Sequence, residues 1–289
     1  MAGSDGQGEF QSESMIWGET IGLGVAGNFT GHLEQAGEAD DFRGISTTDA
    51  EAPKGIFPFY VPGSADHFLH CMPISSTSIV LAPGGEKHQI EPEVALLCDL
   101  AYEDGQVISL DPRFAMAHND CSIRRPGALK ISEKKNWGPC SKGTSDHGIA
   151  LDHFREGGIL DSYRIACFLQ REGELFEYGV ESAVTGYRYY GDRLMEWLME
   201  QMNQQRDEGP LENISKWLEV AGYPPRALIS IGATRYTPFG EDNFLQQGDV
   251  AAVIVYDADL HSKETVLDWA AGRRTPNESG VSLLRQTVE

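Results

Sequence analysis

Short segments of β-forming residues, each closed by proline or glycine, recur along the chain and constrain its fold more than any other feature. Six of them are IFPFYVPG, SSTSIVLAPGG, EVALLCDL, GQVISLDPRFAMAHND, ALISIGA and VAAVIVYD. Another segment, SYRIACFLQREGELFEYG, contains Arg171-Glu172-Gly173, which we interpret as a hairpin turn between two strands. The pattern predicts an α+β protein that is mainly β.

Helical spacing of apolar residues is limited to a few segments. Leu194 and Trp197 follow this spacing after Asp192, a candidate N-cap, and LENISKWLEVAG repeats the pattern. Residues 15–37 are interpreted as a strand, a glycine-bearing turn and a short helix or lid. A last helix is expected from Ser262, followed by a fraying tail. We therefore divide the chain into a flexible N-terminal segment (1–15), a main domain (16–260) and a C-terminal helix and tail (261–289).

The composition excludes several classes of function. Forty-four acidic residues against 23 basic ones give a net charge of -21, which repels nucleic-acid backbones and anionic membrane surfaces. The N-terminal residues lack a signal-peptide pattern, and no later apolar run is long enough to span a bilayer, so we expect a soluble, cytoplasmic protein. The five cysteines are widely spaced and form no C-x-x-C motif, so the sequence predicts neither a disulfide framework nor a thiolate zinc site.

An unusual pair of carboxylates opens the apolar run at residues 94–97. Glu91 and Glu93 are two apart, so on a strand they share one face and project from about 6 to 7 Å of backbone. At an effective dielectric of about 20, such charges repel by roughly 2 to 3 kcal/mol. Asp120 ends another apolar stretch, and it converges on the pair if the two strands lie side by side. Three carboxylates on rigid strands suit Mg²⁺ or Mn²⁺, which turns the repulsion into coordination.

Several sequence blocks, in order over roughly residues 20–257, resemble those of the fumarylacetoacetate hydrolase family. They are GLGVAGNFTGHLEQ, IEPEVAL, AHNDCSIR, CSKGTSD, SIGATRYTPFG and LQQGDVAAVIV. The resemblance implies a mixed β-roll or β-sandwich with a few peripheral helices, commonly assembled as a homodimer. It also implies Mg²⁺ or Mn²⁺ as cofactor, bound by Glu91, Glu93 and Asp120.

The resemblance assigns roles to further residues. Lys142 matches the active-site lysine of the family, and His32 matches the catalytic histidine that acts as general base on a water. Arg124, Thr234 and Asn119 match positions that bind the substrate or support the ligands. The smaller family members carry a glutamate three residues after the histidine, where this chain has Gln35. Glu34 is then a candidate for the missing carboxylate, although residues two apart on a helix do not share a face.

These matches predict a divalent-metal-dependent hydrolase that cleaves a C–C bond in an acylpyruvate-like or β-dicarbonyl 2-oxo acid. The nearest alternative is a 2-oxo acid decarboxylase, isomerase or hydratase on the same scaffold. A metal-binding protein of this fold without turnover is a further alternative, which the replacement at Gln35 favours. No nucleic-acid or membrane partner is expected.

Without the resemblance, the same residues allow ordinary structural roles. Glu91 and Glu93 then face solvent at a strand edge, and Asp120 is a turn or cap residue. His32 is then a lid histidine, and Lys142 is a surface lysine. Arg124 is an ion-pair partner, and Thr234 carries a hydroxyl at the end of a strand. Convergence of the three carboxylates in one buried place separates the two interpretations.

Overall fold

The computed structural model describes residues 10–11, 17–42, 44–45, 47, 49–125 and 127–289. In this part of the chain, strands form a large sheet, a smaller sheet and a two-stranded ribbon. The strands are, in chain order, β1 Phe10–Gln11, β2 Thr20–Ala26, β3 Gly55–Tyr60, β4 Ile74–Ser75, β5 Ser78–Ile79, β6 His88–Gln89, β7 Pro92–Glu103, β8 Gln106–Asn119, β9 Ser122–Ile123, β10 Lys142–Thr144, β11 His147–Ala150, β12 Tyr163–Arg171, β13 Glu174–Ala183, β14 Arg226–Ser230, β15 Val250–Asp257 and β16 Val281–Val288. The expectation of a mainly β protein is confirmed.

The large sheet has nine strands, with the main order β1-β11-β8-β7-β14-β2-β3. Strand β10 also pairs with β8 and joins β4 to the sheet. Within this mixed sheet, β14 is antiparallel to β7 and parallel to β2. The smaller sheet has the order β13-β12-β15-β16-β5, and β6 pairs with β9 in the ribbon.

The two sheets pack face to face around the main core. Val94 and Leu96 of β7 belong to this core, whereas Ala95 and Leu97 pack on the opposite face of the large sheet with Phe57 and other residues. Both faces of β7 are therefore buried, which explains why its sequence is an uninterrupted apolar run rather than an alternating one. Glu93 has the same parity as Ala95 and Leu97, so the strand directs its carboxylate to the face away from the smaller sheet.

Five short α-helices lie outside the sheets of the described chain: α1 His32–Gln35, α2 Asp192–Gln204, α3 Ile214–Val220, α4 Pro238–Asp242 and α5 Lys263–Ala270. The helices expected after Asp192 and Ser262 are confirmed. Ser262 caps α5 by accepting a hydrogen bond from the amide of Thr265, whereas Asp192 is the first residue of α2, and Gly191 takes the N-cap position. None of these helices combines the length and apolarity needed to cross a bilayer.

The predicted turn at Arg171-Glu172-Gly173 is confirmed as a hairpin. It joins β12 to β13, with Arg171 paired to Glu174. Glu172 and Gly173 both have positive φ values, 51° and 86°, as a two-residue hairpin turn requires.

The chain ends differ in part from expectation. Of the segment expected to be flexible, residues 1–9 and 12–15 lie outside the described residues, while Phe10–Gln11 pairs with β11. The expectation that the C-terminal tail frays is wrong, because β16 pairs with β15 and β5 inside the smaller sheet. The buried face of β16 includes Ser282 and Gln286, so its sequence lacks a clear apolar alternation.

Candidate metal centre

Glu91, Glu93 and Asp120 converge at the open end of the β7–β8 hairpin. The register pairs Pro92 with Asn119, and the amide of Asp120 donates to the carbonyl oxygen of Glu91 over 3.0 Å. One oxygen from each of the three carboxylates lies within 4.8 Å of the others, and no more than 3% of any of the three residues is exposed. The strand pairing on which the predicted convergence depended is confirmed.

Buried cations contact two of the three carboxylates directly. Lys135 Nζ donates to Glu91 Oε2 at 2.6 Å and to Asp120 Oδ2 at 2.5 Å. Lys142 Nζ donates to the other oxygen of Asp120, and Arg124 Nη2 lies 2.6 Å from the other oxygen of Glu91. Each of these two carboxylates is thus held between two cations.

A fourth carboxylate, Glu38, extends the network. Its Oε1 accepts hydrogen bonds from Arg124 Nη1 and Lys134 Nζ, both at 2.9 Å. The network contains four largely buried carboxylates and four largely buried cations: Glu38, Glu91, Glu93 and Asp120, with Arg124, Lys134, Lys135 and Lys142. Because buried charges are costly unless they are paired, the ion pairs of this network account for the burial of so many ionisable groups inside the protein.

Glu91 and Glu93 have opposite electrostatic environments despite their proximity. Burial acts to raise the pKa of Glu91, but the charges of Lys135 and Arg124 outweigh it and hold that pKa far below its usual range. Burial and the negative charge of Asp120 raise the pKa of Glu93 well above its usual range. Glu93 Oε2 accepts from the amide of Gly232 at 2.7 Å. Glu93 is therefore the carboxylate of the triad that most lacks positive charge.

The donor set fits a hard divalent cation. All three side chains offer oxygen, the ligand that Mg²⁺ and Mn²⁺ prefer, and three protein ligands leave positions for water or substrate. Glu91 Oε1 is also buried without an aligned hydrogen bond, its contact with Arg124 being an ion pair. Glu91, Glu93 and Asp120 are the residues that would hold the ion.

His32, the first residue of α1, is 4% exposed and lines the same cavity as the triad. Its Nδ1 lies 2.9 Å from the carbonyl oxygen of Thr234, which can only accept, so this contact places the proton on Nδ1. Nε2 is then left with its lone pair. Burial lowers the pKa of His32, and the nearby charge of Arg124 acts in the same direction. The imidazole is therefore neutral and able to accept a proton at neutral pH.

The cavity between His32 and the carboxylates has a volume of about 20 Å³, roughly the space of one water molecule. Apolar side chains, among them Phe42, Phe57 and Ile131, form much of its wall, together with Glu38 and Lys135. Glu38 also lines an outer pocket of about 260 Å³, whose other lining residues include Arg124, Arg125 and Lys134. Glu38 is thus the residue that the small inner cavity and the larger outer pocket have in common.

The structure does not bring Glu34 to this cavity. Glu34 is exposed on the outer side of α1, as expected for a residue two positions from a buried histidine. Gln35 instead fixes α1 to the protein, because its Oε1 accepts from the amide of Tyr236 at 3.0 Å and its Nε2 donates to the carbonyl of Tyr236 at 3.2 Å. The buried carboxylate near His32 from this part of the chain is Glu38.

The three residues predicted to bind substrate all make contacts within the protein. Arg124 donates hydrogen bonds to the side chains of Gln89, Glu38 and Tyr236, and it also forms an ion pair with Glu91. Thr234 acts through its backbone, since its carbonyl positions the His32 ring. Asn119 Oδ1 accepts from the amide of Glu91 at 3.2 Å, and Asn119 Nδ2 donates to Gln286, so this side chain supports the ligand strand.

Lys135, Lys134 and Glu38 are the site residues that sequence reasoning did not select. Lys134 ends a 3₁₀ helix, Ile131–Lys134, and Lys135 follows directly. Two adjacent lysines normally indicate a solvated surface, yet these are 4% and 3% exposed. A charge argument could have pointed to the two lysines, because three buried carboxylates require cations and five basic residues lie between Asp120 and Lys142.

The fold is shared with several solved enzymes. A 2-keto-3-deoxy-D-arabinonate dehydratase complexed with magnesium and 2,5-dioxopentanoate superposes with a TM-score of 0.52 at 15% identity, covering 94% of this chain and 74% of the other. A 5-carboxymethyl-2-hydroxymuconate delta-isomerase from Mycobacterium smegmatis gives 0.51 at 14% identity, covering 93% and 78%. A protein from Oleispira antarctica, provisionally named a fumarylacetoacetate isomerase/hydrolase, gives 0.50 at 10% identity, covering 93% of each chain.

At these identities the likeness establishes the fold. The predicted resemblance to the fumarylacetoacetate hydrolase family, with its mixed β-roll, is confirmed at that level. In sequence, the chain belongs to a family of unknown function, DUF5718, whose model matches residues 38–288. No curated protein matches this chain in sequence.

Proposed function

We propose that the protein is a divalent-metal-dependent hydrolase that cleaves a C–C bond in an acylpyruvate-like 2-oxo acid, with Mg²⁺ or Mn²⁺ as cofactor. The observation that carries this proposal is the burial of Glu91, Glu93 and Asp120 within 4.8 Å of one another beside His32. When bound, a divalent cation supplies Lewis-acid stabilisation of the negative charge that develops on a keto oxygen. The remaining requirements fall to side chains of this chain.

His32 is the general base in this proposal. Its Nε2 takes a proton from a water in the small cavity, and the resulting hydroxide adds to the acyl carbonyl carbon. The bond between that carbon and the neighbouring methylene then breaks, and the electron pair remains on the methylene. Protonation of this carbanion by the imidazolium completes the balance and yields a carboxylic acid and a 2-oxo acid. The carbonyl of Thr234 keeps the ring in the tautomer that this sequence needs.

Glu38, rather than Glu34, best suits the role of the carboxylate that assists His32. It is 8% exposed and lines the cavity together with the imidazole. Its negative charge acts to raise the pKa of His32, which means that it stabilises the protonated ring formed during proton transfer. This assignment offers a replacement for the carboxylate that the chain lacks at Gln35.

Substrate enters, in this proposal, from the outer basic pocket. The inner cavity of about 20 Å³ is too small for a 2-oxo acid, whereas the outer pocket of about 260 Å³ is large enough and carries Arg124, Arg125 and Lys134. A substrate carboxylate can replace Glu38 as the partner of Arg124 and Lys134, which opens the way to the triad. Lys142, paired with Asp120, offsets the charge of the carboxylates as the anion arrives.

A second candidate is a decarboxylase, isomerase or hydratase acting on a 2-oxo acid, or a dehydratase, which catalyses the reverse of hydration. The observation that favours it is Gln35, which is engaged with the Tyr236 backbone and so does not complete a dyad with His32. Decarboxylation needs mainly an electron sink, whereas hydrolysis also needs an activated water. A protein that binds metal without turnover stands as a third candidate, and the preserved triad and buried Lys142 speak against it.

The decisive experiment is a screen of acylpyruvates and other 2-oxo acids with the full-length protein, in Mg²⁺, in Mn²⁺ and in EDTA, beside Glu93→Ala. Hydrolysis is identified by a carboxylic acid and a 2-oxo acid in equal amounts, decarboxylation by CO₂, and dehydration or isomerisation by a product that keeps all carbons. We expect metal-dependent hydrolysis that Glu93→Ala abolishes. Turnover that ignores both the metal and the substitution refutes the proposal.

Two sequence-based expectations join this proposal. The homodimer implied by the resemblance is measurable by sedimentation equilibrium of the purified protein. The cytoplasmic location is measurable by fractionation of the source cells. The proposed chemistry depends on neither of them.

A further inference from the structure

The ammonium of Lys135 lies where the triad would be expected to hold its cation. Its Nζ is 2.6 Å from Glu91 Oε2, 2.5 Å from Asp120 Oδ2 and 3.4 Å from the carbonyl oxygen of Asp120. Among the described residues, Lys135 is the one cation that contacts two carboxylates of the triad and also lines the cavity beside all three.

The other cations of the network are differently placed. Arg124 faces the second oxygen of Glu91, and Lys142 faces the second oxygen of Asp120. Each of these carboxylates therefore turns one oxygen toward Lys135 and the other toward a cation outside the cavity. The oxygens that face Lys135 are the ones that can converge on an ion between Glu91 and Asp120, so the ammonium and a metal ion would share the same ligands.

The charge balance of the network also indicates that Lys135 and a metal ion compete for the same carboxylates. Four largely buried carboxyl groups already face four largely buried basic groups, so a divalent ion added to the intact network brings two positive charges that nothing in it balances. The excess is relieved when Lys135 leaves its two carboxylates and an anionic substrate enters. Two cations that share the same carboxylate oxygens in a buried site repel each other, which disfavours simultaneous occupation.

We infer that Lys135 is a built-in counter-ion that competes with the divalent metal for Glu91 and Asp120, so that metal binding requires its side chain to swing away. This inference rests on the proposed function, since it takes the triad as the metal site. The backbone at Lys135 is held in place, because the neighbouring Asn136 side chain donates to the carbonyls of Phe59 and Cys71, both at 2.9 Å. The exchange is therefore a rotation of one long, flexible side chain. The metal-free protein is neutralised internally, and its metal affinity is lower than the triad alone would give.

The test is Mn²⁺ binding to the full-length protein, measured by isothermal titration calorimetry on wild type, Lys135→Met and Lys134→Met at one pH and salt concentration. Lys134 is the matched control, since it belongs to the same network but contacts Glu38 and Asp41 rather than the triad. We expect Lys135→Met to bind Mn²⁺ at least tenfold more tightly than wild type, and Lys134→Met to change the affinity less than threefold.

The outcomes separate this inference from the proposed function. Equal Mn²⁺ affinity in wild type and Lys135→Met, or a gain of the same size in Lys134→Met, overturns the competition but leaves the metal site standing. Absence of Mn²⁺ binding in all three proteins overturns both. If Lys135→Met does not fold, a crystal structure of wild type with Mn²⁺ decides. Lys135 Nζ displaced from Glu91 and Asp120 supports the inference, and Nζ still bonded to both beside the ion overturns it.

Discussion

The amide of Asp120 donates to the carbonyl oxygen of Glu91 over 3.0 Å, which ties together two carboxylates 29 positions apart. This bond continues the β7–β8 ladder by one step beyond the pair Pro92 and Asn119. The metal-ligand candidates thus lie at a fixed point of the large sheet, and their spacing follows from hairpin register rather than from loop conformation.

Asp120 is the residue whose neutralisation should destabilise the metal-free protein most. Asp120→Asn leaves the buried ammoniums of Lys135 and Lys142 without their shared partner, and breaking a buried pair costs about 3 to 5 kcal/mol. Glu93→Gln is the control, because burial and Asp120 already raise the pKa of Glu93. We expect a change of under about 1 kcal/mol for Glu93→Gln in urea unfolding at pH 7 with EDTA. Equal losses in both variants contradict the charge assignment.

The position of the triad could be predicted because its causes are local. Glu91 and Glu93 precede a run of apolar residues long enough to be a strand, and Asp104-Gly105 supplies the turn that pairs this strand with the next. Both turn residues have positive φ, 49° and 77°, as a two-residue hairpin turn needs. Convergence of Glu91 with Asp120 also depends on two β-bulges, at Ala101/Tyr102 and Leu97/Cys98, which shift the register by two residues and which the sequence does not predict.

The cation network and β16 depend on long-range packing instead. Lys135 follows a single 3₁₀ turn whose orientation is set by contacts such as those of Asn136 with Phe59 and Cys71, and no spacing rule links it to Glu91. In β16, Ser282 is tolerated in the core because its Oγ donates to the carbonyl of His147 at 2.6 Å. Where buried polar side chains are hydrogen-bonded in this way, a buried strand does not show the apolar pattern from which strands are predicted.

His32 should control the rate but not the metal affinity. His32→Gln removes the proton acceptor, so we expect hydrolysis to fall at least about 100-fold, the lower range for general-base catalysis. Mn²⁺ affinity should stay within threefold of wild type, because His32 is not one of the grouped ligands. Unchanged turnover in His32→Gln removes this residue from the mechanism.

The pH profile of the proposed activity in the wild-type protein tests the same residue without a substitution. The base works when deprotonated, and burial lowers the pKa of His32, so activity should persist below the usual histidine value of about 6.5. A bound cation acts in the same direction. We expect kcat/KM to stay constant from pH 7.5 down to below about 6.5 and then to fall with unit slope. An acid limb centred above that value points to a different group.

Glu34 and Glu38 make a matched pair for the assisting carboxylate. Glu38→Gln removes the charge that faces Arg124 and Lys134 and that acts on His32, so kcat/KM should fall about tenfold or more, or roughly 1.4 kcal/mol. Glu34→Gln changes an exposed residue of the same helix region and should alter kcat/KM less than twofold. Both variants require steady-state kinetics at saturating metal. A larger loss for Glu34→Gln returns the role to that residue.

A glutamate at position 35, where the smaller fumarylacetoacetate hydrolase family members carry one, should impair the proposed activity rather than improve it. Gln35 uses both ends of its amide, accepting from the amide of Tyr236 and donating to the carbonyl of Tyr236 and to Glu241 Oε2, the latter at 3.3 Å. Gln35→Glu removes the donor and faces the new carboxylate with Glu241, which loosens α1 and the His32 ring that it carries. We expect kcat/KM to fall about tenfold, with part of the loss recovered by high salt, since the contact is partly exposed. Gln35→Glu combined with Glu241→Gln should regain most of the activity, because the amide at 241 can donate to the new carboxylate.

A gain of hydrolysis in the single variant means instead that the glutamate at 35 completes a dyad with His32, and the assignment of Glu38 then fails.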